Sequence, residues 1–193
     1  MPVHLTRIYT RAGDDGSTAL GDGRRIRKTD PRLAAYADVD ETNSAIGVAL
    51  ALGLLAQDVR EVLTQVQNDL FDVGSDLCVP VVEDPKREPL RVTDDYVARL
   101  EGWCDQFNSR LAELTSFVLP GGTPGAALLH QARTVARRAE RGTWALVEAD
   151  PEGTSPTPGR YLNRLSDLLF ILARVANPDG DVQWRPGAGR TDG

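Results

Sequence analysis

The sequence predicts an all-α protein, built as one bundle of about five helices. Long segments carry apolar residues at steps of three and four, which is the spacing of one helix face. No alternating pattern of the kind that marks a strand recurs, and no internal repeat is visible. With 193 residues the chain is long enough for one domain with a sizeable core. We therefore expect a single domain over 1–193, with a glycine-rich loop at 1–29, a helical bundle at 30–177 and a flexible tail at 186–193.

The first helix has a clear start signal. Asp30 is a capping residue and Pro31 follows it at the first helical position, so the helix is predicted from there to about Gly53. Its expected inward stripe consists of Leu33, Tyr36, Asp40, Asn43, Gly47 and Leu50. Within this stripe, Asp40 and Asn43 stand where apolar side chains are expected.

The second and third helices are predicted from their apolar stripes. Helix two runs from about Asp58 to Leu77, and its stripe consists of Val59, Leu63, Val66, Leu70, Val73 and Leu77. An exposed connection follows at 80–91, where three prolines and mixed charge break the pattern. Thr93 then caps helix three, whose stripe consists of Val97, Leu100, Cys104, Phe107, Leu111 and Leu114.

The last two helices follow segments rich in proline and glycine. Residues 117–125, FVLPGGTPG, are not helical throughout, and helix four continues from there to about Ala149. Its expected core face consists of Leu128, Val135, Ala139 and Leu146. A turn at 150–159 leads to helix five, which covers about 160–176. Helix five has one line of polar residues, Asn163, Asp167 and Arg174. This line either faces a site or is the solvent-exposed side of the helix.

Composition excludes several classes of protein. The net charge of −6 disfavours a general nucleic-acid binder. Cys78 and Cys104 are far apart and form no metal or redox motif, so with no signal peptide they are expected to be reduced core residues of a cytoplasmic protein. His4 and His130 are the two histidines of the sequence, too few for a His-rich metal site, and the lack of Glu-x-x-His motifs excludes a ferritin-like bundle. No apolar run is long enough to span a membrane.

The stretch TRAGDDGSTALGDGRRIRK, residues 10–28, combines glycines with arginine and lysine. Glycines expose backbone N–H groups and permit positive φ, and the cations add charge, so the stretch is typical of a loop that wraps an anion such as phosphate. Its spacing matches neither a Walker A loop nor a dinucleotide-binding fingerprint. The alternative is a solvated, flexible N-terminus.

A row of arginines marks helix four. Arg133, Arg137 and Arg141 follow one another at steps of four on the face opposite the core, where like charges repel. Trp144 falls on the same face, where a large aromatic side chain needs something to cover it. A concave anion site explains both features, whereas an ordinary solvated face explains the charges alone. Arg133 or Arg137 is also the natural partner of Asp40, unless that carboxylate is hydrated at the edge of the bundle.

Several of these segments together resemble the PduO-type ATP:cob(I)alamin adenosyltransferases, or corrinoid adenosyltransferases. The resemblance runs from Ile8 to about Pro186, and its motifs follow the family's order: YTRAGDDGSTAL, Lys28, RLAAYADVDETNSAIG, FVLPGGT, RTVARRAER and YLNRLSDLLFILAR. The chain departs from the family at Ala37, where glycine is usual, and at Thr42, where leucine is usual. These departures bear on the packing of helix one and remove no charged group.

The resemblance implies a five-helix bundle that assembles as a homotrimer with ATP bound between neighbouring subunits. It implies transfer of the 5′-deoxyadenosyl group of ATP to cob(I)alamin with release of triphosphate, and Mg²⁺ that accompanies the phosphates with few protein ligands. The ATP-binding residues carried over are Thr10, Arg11, Gly13, Asp14, Gly16, Thr18, Lys28, Arg137, Arg138, Glu140, Arg141 and Asn163. Cobalt(I) is itself the nucleophile, so the catalytic residues Lys28, Arg133 and Arg137 are expected to orient ATP and stabilise the leaving triphosphate.

The resemblance also implies a cobalamin site. Phe117 matches an aromatic residue that displaces the lower axial ligand of cob(II)alamin, which leaves a four-coordinate cobalt that is easier to reduce. Asp40 and Arg133 match a pair that helps to hold the corrin site across the subunit interface. Without the resemblance, Phe117 would be interpreted as a core anchor of its loop.

Two other classes of protein stay open from the residues alone. A helical nucleotide- or corrinoid-binding carrier would share the anion site without turnover, and a purely structural bundle would bind no ATP. The partners that the resemblance implies are a cobalamin-dependent mutase, which receives the product, and a reductase, which supplies cob(I)alamin. Neither nucleic acid nor a membrane is an expected partner.

Overall fold

Helical periodicity and capping residues place the helices of the bundle. The computed structural model describes residues 9–85 and 87–187, and within these ranges it confirms the five predicted helices. The helices are α1 Pro31–Leu52, α2 Gln57–Cys78, α3 Asp94–Asn108, α4 Pro124–Ala149 and α5 Thr157–Val175. Most of the predicted tail, 188–193, lies outside the described residues. None of the helices in the described ranges combines the length and apolar character that crossing a membrane requires.

Local signals start α1 and α4. The Asp30 carboxylate accepts a hydrogen bond from Arg32 N at 2.8 Å, and Pro31 occupies the first turn, as predicted. In the same way, the Thr123 hydroxyl accepts from Ala126 N at 3.1 Å at the start of α4. The end of α1, both ends of α2 and the end of α4 also lie within two residues of the prediction.

The predicted third helix is too long. α3 ends at Asn108, so Leu111 and Leu114 lie beyond the helix, and Leu114 is 37% exposed. Tighter turns follow, in which Leu111 N donates to Asn108 O at 3.0 Å. The chain then turns toward α5, where the Arg174 guanidinium donates to Ala112 O at 2.8 Å. This long-range bond holds the segment away from the axis of α3, and no local sequence pattern reveals it.

The fifth helix begins at Thr157, three residues earlier than predicted. Pro158 is compatible with this start, because the first turn of a helix has N–H groups without partners. The ring of Trp144 lies across Gly159, where an added Cβ would be 2.9 Å from Trp144 Cε2. The start of α5 therefore covers part of the Trp144 ring, so the position of this ring does not by itself require an anion site.

The core lies where the helices pack in pairs. α1 packs against both α2 and α4, and α5 packs against both α4 and α3. The start of α4 approaches the end of α1 so closely that a Cβ on Gly125 would be 2.5 Å from Gly53 O. Three of the four predicted core residues of α4 are buried, and Leu129 is buried in place of the half-buried Leu128. The largest fully buried side chains are Tyr161, Phe107, Ile46, Leu63, Leu70, Leu77, Leu100, Leu129, Leu162, Leu165, Leu168 and Leu169.

The inward face of α1 differs from the predicted stripe. Asn43 is buried as predicted, but Asp40 is exposed. Because α1 packs against α2 on one side and α4 on the other, its buried face is broad and consists of several small side chains. The predicted stripe instead follows the side of α1 near α2, where Asn43 Nδ2 donates to Gln67 O at 3.0 Å. The buried residues of α1 are Arg32, Ala35, Val39, Thr42, Asn43, Ile46 and Ala49.

The glycine-rich stretch forms a short hairpin that was not predicted. β1 Ser17–Ala19 pairs antiparallel with β2 Arg25–Arg27, with Thr18 opposite Ile26. Strands of three residues are too short to show an alternating pattern, so periodicity does not detect them. Gly23 lies in the connecting turn with φ of 88°, a conformation that favours glycine.

A buried carboxylate ties α2 to α3 and α5. Asp69 is 1% exposed, and it accepts hydrogen bonds from Arg99 Nη2 at 2.8 Å, Tyr161 OH at 3.2 Å and Gln65 Nε2 at 2.9 Å. Burial, and then the Asp69 charge, raises the pKa of the Tyr161 phenol, which therefore stays protonated as a donor. The Arg99 guanidinium also lies 4.8 Å from the centre of the Tyr96 ring.

Replacing Asp69 with alanine is expected to lower the free energy of unfolding by about 3 kcal/mol, because Arg99 and Tyr161 lose a buried partner. Urea denaturation at a fixed protein concentration measures this change. Glu101→Gln is the matched control, since its 3.1 Å ion pair with Arg164 joins two side chains that are at least one third exposed. The control is expected to change the free energy by less than about 1 kcal/mol. Equal losses in the two variants would contradict the structural role of the Asp69 network.

Candidate functional site

The backbone of the glycine-rich hairpin is shaped around Lys28. Lys28 N donates to Gly16 O at 2.9 Å, and Gly16 has φ of 78°, which favours glycine. The Lys28 side chain lies over Gly13, where an added Cβ would be 3.1 Å from Lys28 Nζ and 3.0 Å from Ser17 O. In the part of the chain that the structure describes, the Lys28 ammonium has no carboxylate partner. A free cation beside a glycine-rich backbone is an arrangement that suits phosphate.

Side chains of the hairpin hold its turns together. Thr10 Oγ1 accepts from Ala12 N at 3.4 Å. Arg25 Nη2 donates to Ala12 O at 2.6 Å and to the Ser17 hydroxyl. Asp15 accepts from Ser17 N at 3.0 Å and from the Ser17 hydroxyl at 2.7 Å, and this hydroxyl is the main cause of the lowered pKa of Asp15. These contacts occupy Asp15 and Arg25 within the loop.

Three further predicted ATP residues belong to the same loop: Arg11 and Asp14 lie in the turns before β1, and Thr18 lies in β1. Arg11 has φ of 62°, and its guanidinium lies 5.9 Å from the centre of the Tyr9 ring. Asp14 is exposed, and Thr18 is half-buried in β1. The predicted loop residues between 10 and 28 therefore share one small structural unit.

The hairpin is anchored to the bundle where α2 ends. Gly21 N donates to Cys78 Sγ at 3.2 Å, and a Cβ on Gly21 would be 2.6 Å from Val79 Cγ2. Just after the hairpin, buried Arg32 donates to Leu77 O at 2.7 Å and to Asp150 Oδ2 at 2.7 Å. These contacts fix the base of the loop against the ends of α2 and α4.

Three arginines lie on the flank of α4 that adjoins α5, and we call them the arginine face: Arg133, Arg137 and Arg141. Among the described residues, none of the three forms an ion pair with a carboxylate. Arg141 Nη1 donates to Arg137 O at 3.3 Å, whereas Arg133 Nε is buried without a hydrogen-bond partner. Burial, and then the neighbouring Arg137, lowers the pKa of Arg133. The arginine face therefore has the charge that a polyanion would neutralise.

The polar line of α5 does not face a single site, contrary to one of its two interpretations. Asn163 adjoins the arginine face, because its Nδ2 donates to Glu140 Oε1 at 3.0 Å. Asp167 and Arg174 instead form ion pairs elsewhere, with 2.6 Å and 2.8 Å between the charged atoms. Of the predicted line, Asn163 alone is thus placed with the arginines of α4.

Arg138 lies on the other flank of α4, next to α1. It forms an ion pair with Glu41, and its Nε lies 3.9 Å from Asp38 Oδ1. The hydrogen bond from Arg138 to Glu41 is the main cause of the raised pKa of Arg138. Within one chain, the structure therefore separates Arg138 from the arginine face.

Phe117 lies on an exposed ribbon before α4. It is 78% exposed, and its ring meets the ring of Trp184 edge to face with 6.0 Å between ring centres. Trp184 N donates to Phe117 O at 2.7 Å, and Leu119 N donates to Val182 O at 2.8 Å. Phe117 is therefore not a core anchor within this chain.

The Leu-Pro-Gly-Gly turn after Phe117 is held from the end of α5. Asn177 Oδ1 accepts from Thr123 N at 2.9 Å, and Asn177 Nδ2 donates to Gly121 O at 3.2 Å. Gly122 has φ of 106°, a conformation that L side chains rarely adopt. The turn thus has a defined path that projects the Phe117 ribbon from the bundle.

One chain does not bring the predicted groups together. The hairpin meets the C-terminal end of α4 at a cleft of about 360 Å³, whose lining includes Ile26 and Leu146. Arg137 lies nine residues before Leu146, which is about 14 Å along the helix axis. Phe117 precedes the opposite end of α4. The three parts of the predicted site therefore lie at separate positions along this helix.

The predicted pair of Asp40 and Arg133 is not formed within the described chain. α1 and α4 run antiparallel, and the contact of Arg138 with Glu41 sets their register. Asp40 therefore lies near the level of Arg138, whereas Arg133 lies more than a turn away. Both charged groups stay without an ion-pair partner in the described ranges.

Sequence reasoning missed three residues around these groups. Asn177 and Trp184 lie more than fifty residues after the segment that they contact, so no local pattern reveals them. His130 is 2% exposed, and both of its ring nitrogens lack a hydrogen-bond partner. The signal that would have found His130 is its position three residues before Arg133 on the same helix.

The chain is similar to known proteins over nearly its whole length. The profile of the cobalamin adenosyltransferase family matches residues 8–176. A corrinoid adenosyltransferase of Mycobacterium tuberculosis is 66% identical over 191 residues, which cover 99% of each chain. A cobalamin adenosyltransferase of Cupriavidus metallidurans is 46% identical over 192 residues, which cover 96% of this chain and 97% of that protein.

Solved structures share the fold. A variant of the PduO-type ATP:corrinoid adenosyltransferase from Lactobacillus reuteri, complexed with cobalamin and ATP, has a TM-score of 0.85 at 35% identity. That match covers 93% of this chain and 97% of the other. A second variant, complexed with ATP, has a TM-score of 0.82 at 35% identity and covers 92% of this chain and all of the other. With its helices, its glycine-rich hairpin and these matches taken together, the chain belongs to the cobalamin adenosyltransferase family.

Proposed function

We propose that the chain transfers the 5′-deoxyadenosyl group of ATP to cob(I)alamin, forming adenosylcobalamin and releasing triphosphate. The observation that carries the proposal is the arginine face, which lacks carboxylate partners in the described chain although the net charge is −6. Three guanidinium groups on one helix flank repel one another. A bound triphosphate would attract each of them and so offset that repulsion. Membership of the family favours ATP as this polyanion.

The ATP site is proposed to lie between two subunits of a homotrimer. One subunit would contribute the glycine-rich loop at 1–29, and its neighbour would contribute the arginine face from the bundle at 30–177. The separation of about 14 Å between Arg137 and Leu146, near the hairpin of the same chain, supports this arrangement. A closed ring of three chains offers one hairpin and one arginine face at each contact.

The ATP-binding residues of this proposal fall into two groups. The first subunit contributes Thr10, Arg11, Gly13, Asp14, Gly16, Thr18 and Lys28 from the hairpin. The second contributes Arg137, Arg138, Glu140 and Arg141 from α4, with Asn163 from α5. Asn163 would hold Glu140 in place through the bond that the two already share. Arg138 would have to share its guanidinium between Glu41 and the ligand.

The reaction needs positioning and charge rather than a protein base. The cobalt(I) electron pair attacks the 5′ carbon of ATP, the bond from that carbon to the 5′ oxygen breaks, and its electron pair leaves with triphosphate. Lys28, Arg133 and Arg137 are proposed as the catalytic residues, because cations fixed beside the phosphates stabilise the charge that grows on the leaving group. Lys28 and Arg137 are exposed and have no ion-pair partner among the described residues, which supports these roles.

The cobalamin site is proposed to use Phe117, Asp40 and Arg133. The exposed ring of Phe117 would exclude the lower axial ligand from one face of the corrin. Asp40 of one subunit would pair with Arg133 of the next, since neither group has an ion-pair partner within the described chain. An ion pair between Asp40 of one subunit and Arg133 of the next would make the two surfaces electrostatically complementary.

Mg²⁺ is proposed to enter with the triphosphate. Within the described residues, no group of three or more histidine, cysteine, aspartate or glutamate side chains is arranged to hold a metal ion. Mg²⁺ tends to keep several waters and to bind substrate phosphates, so an ion carried by ATP would need few protein ligands. When bound, the ion would neutralise phosphate charge, while Lys28 and the arginine face would fix the orientation of the triphosphate.

Gly13→Ala is expected to raise the KM for ATP about tenfold, because the added Cβ crowds both the Ser17 carbonyl oxygen at 3.0 Å and the Lys28 ammonium at 3.1 Å and shifts the loop around the phosphates. Steady-state kinetics at saturating cob(I)alamin measure this change. Gly102→Ala is the matched control, since an added Cβ there meets nothing within 4 Å. An unchanged KM for ATP in Gly13→Ala would show that the Lys28 position does not matter for binding.

The proposed activity is tested directly by turnover. The purified chain is incubated with ATP, Mg²⁺, cobalamin and a strong reductant, and the visible spectrum follows the corrin while phosphate analysis follows the nucleotide. Adenosylcobalamin and triphosphate in equal amounts are expected. Binding of both substrates without product would instead identify a carrier, and failure to bind ATP would identify a structural bundle.

A further inference from the structure

Two buried polar groups without partners lie one turn apart on α4. Both ring nitrogens of His130 are buried and unpartnered, and so is the Nε atom of Arg133. Residues three apart on a helix are neighbours, and side chains lean toward the N-terminus, which brings the Arg133 side chain toward His130. A buried donor and a buried acceptor left unpaired side by side cost free energy, and pairing them removes that cost.

The chemistry of the two groups is complementary. The Nε of arginine carries a proton and can only donate, whereas a neutral imidazole has one nitrogen that accepts. The rings of His130 and of Phe170 in α5 meet edge to face, with 6.0 Å between ring centres, so the position of the imidazole is fixed by packing rather than by a hydrogen bond. The acceptor is therefore already in place when the longer arginine side chain moves.

We infer that His130 is a positioning residue for Arg133, with one nitrogen of its neutral ring accepting a hydrogen bond from Arg133 Nε in the assembled enzyme. This inference rests on the proposed role of Arg133 at the cobalamin site. The bond holds the stem of Arg133 and leaves the terminal amino groups free for Asp40 of the neighbouring subunit and for the substrates. His130 itself touches no substrate.

The surroundings of His130 keep its ring neutral. Burial, and then the positive charge of Arg133, lowers the pKa of His130 below the ordinary value of 6.5, while Asp181 opposes this shift weakly. These are the charged groups that face His130 from its own helix and from the segment after α5, and α5 itself presents the uncharged Phe170. A ring with a lowered pKa is neutral at pH 7 and gains a proton only as the pH falls. Protonation removes the acceptor and sets two cations side by side, so corrin binding is expected to weaken as the pH falls through this lowered pKa of His130.

Substitutions at His130 separate positioning from packing. His130→Leu removes the acceptor and keeps a buried apolar side chain, and it is expected to raise the KM for cob(II)alamin about tenfold with the KM for ATP within about twofold. His130→Gln offers a carbonyl acceptor and is expected to recover most of the loss, without the weakening at acid pH. In an Arg133→Lys background, which has no Nε proton, His130→Leu should add no further loss. An unchanged KM for cob(II)alamin in His130→Leu, or equal losses in the leucine and glutamine variants together with a lower Tm, would overturn the inference.

A spectroscopic readout is independent of turnover. Because the chain has two histidines, ¹⁵N-labelled imidazole signals are assigned by the one that disappears in His130→Gln, with His4→Gln as the control. In the protein with ATP and cob(II)alamin, the acceptor nitrogen of His130 should change its shift when Arg133 is replaced by lysine. Identical shifts in the two proteins would overturn the inference even if the adenosylation activity is present. Absence of adenosylation in the wild-type chain would instead overturn the proposed function.

Discussion

Lys28→Ala and Arg137→Ala are each expected to lower the adenosylation rate by about 10²–10³-fold, because each removes one fixed cation from the growing charge on the leaving triphosphate. Neither the Lys28 ammonium nor the Arg137 guanidinium has a carboxylate partner in the described chain. Neither substitution therefore breaks an ion pair that supports the fold. Circular dichroism and Tm are therefore expected to stay near the wild-type values. Initial rates with pre-reduced cob(I)alamin and saturating ATP measure the loss.

A control substitution separates charge at the site from charge in general. Arg160→Ala also removes an exposed cation, whose 2.9 Å ion pair with Asp94 lies at the start of α5. Exposed ion pairs contribute little to stability, so this variant is expected to retain nearly full activity. If Lys28→Ala and Arg137→Ala were as active as Arg160→Ala, the proposed roles of both residues would be wrong.

Phe117→Ala is expected to lose most activity when cob(II)alamin is supplied and to keep much more when cob(I)alamin is supplied already reduced. The ring is 78% exposed on its ribbon, so its removal leaves no hole in the core and Tm should change little. The proposed role of the Phe117 ring is to keep the lower ligand and water from one face of the corrin, which makes cob(II)alamin easier to reduce. Supplying cob(I)alamin bypasses this reduction. The affinity for ATP should stay near that of the wild type.

The spectrum of cob(II)alamin bound with ATP distinguishes this role from a packing role. The four-coordinate species is expected in the wild type and in Phe117→Trp, which keeps an aromatic ring, and is expected to be lost in Phe117→Ala. Wild-type amounts of that species in the alanine variant would contradict the proposed role. Equal losses of activity with both oxidation states of the corrin would contradict it as well.

Much of the fold could be predicted because the signals are local. Asp30 and Pro31 start α1 where a capping residue and a proline predict it, and the apolar spacing sets both ends of α2. The failures come from contacts that are distant in sequence. α3 stops early where the Arg174 side chain holds the Ala112 carbonyl, and periodicity carries no information about that bond.

The candidate site was predicted by resemblance more than by pattern. Glycines and cations indicated an anion loop, but the same pattern left a flexible terminus open as an alternative. Trp144 was a misleading signal, since the start of α5 covers part of its ring. Asp40 belongs to the predicted inward stripe of α1 but is exposed, which agrees with the alternative of a hydrated carboxylate at the edge of the bundle, because α1 buries a broad face of small residues against two neighbours. A single sequence also gives no information about which groups meet across two chains.

The sharing of the ATP site between chains of the proposed homotrimer is the central claim, and a mixture of two variants tests it most directly. Lys28→Ala and Arg137→Ala chains are mixed in equal amounts, dissociated and reassembled, and the adenosylation rate is compared with that of each variant alone. If one chain supplies the hairpin and the next supplies the arginine face, about one quarter of the interfaces contain two intact halves, and activity returns to about a quarter of the wild-type rate. If both residues served one site within the same chain, every site in the mixture would carry one substitution. The mixture would then be no more active than the separate variants, and that result would contradict the shared site.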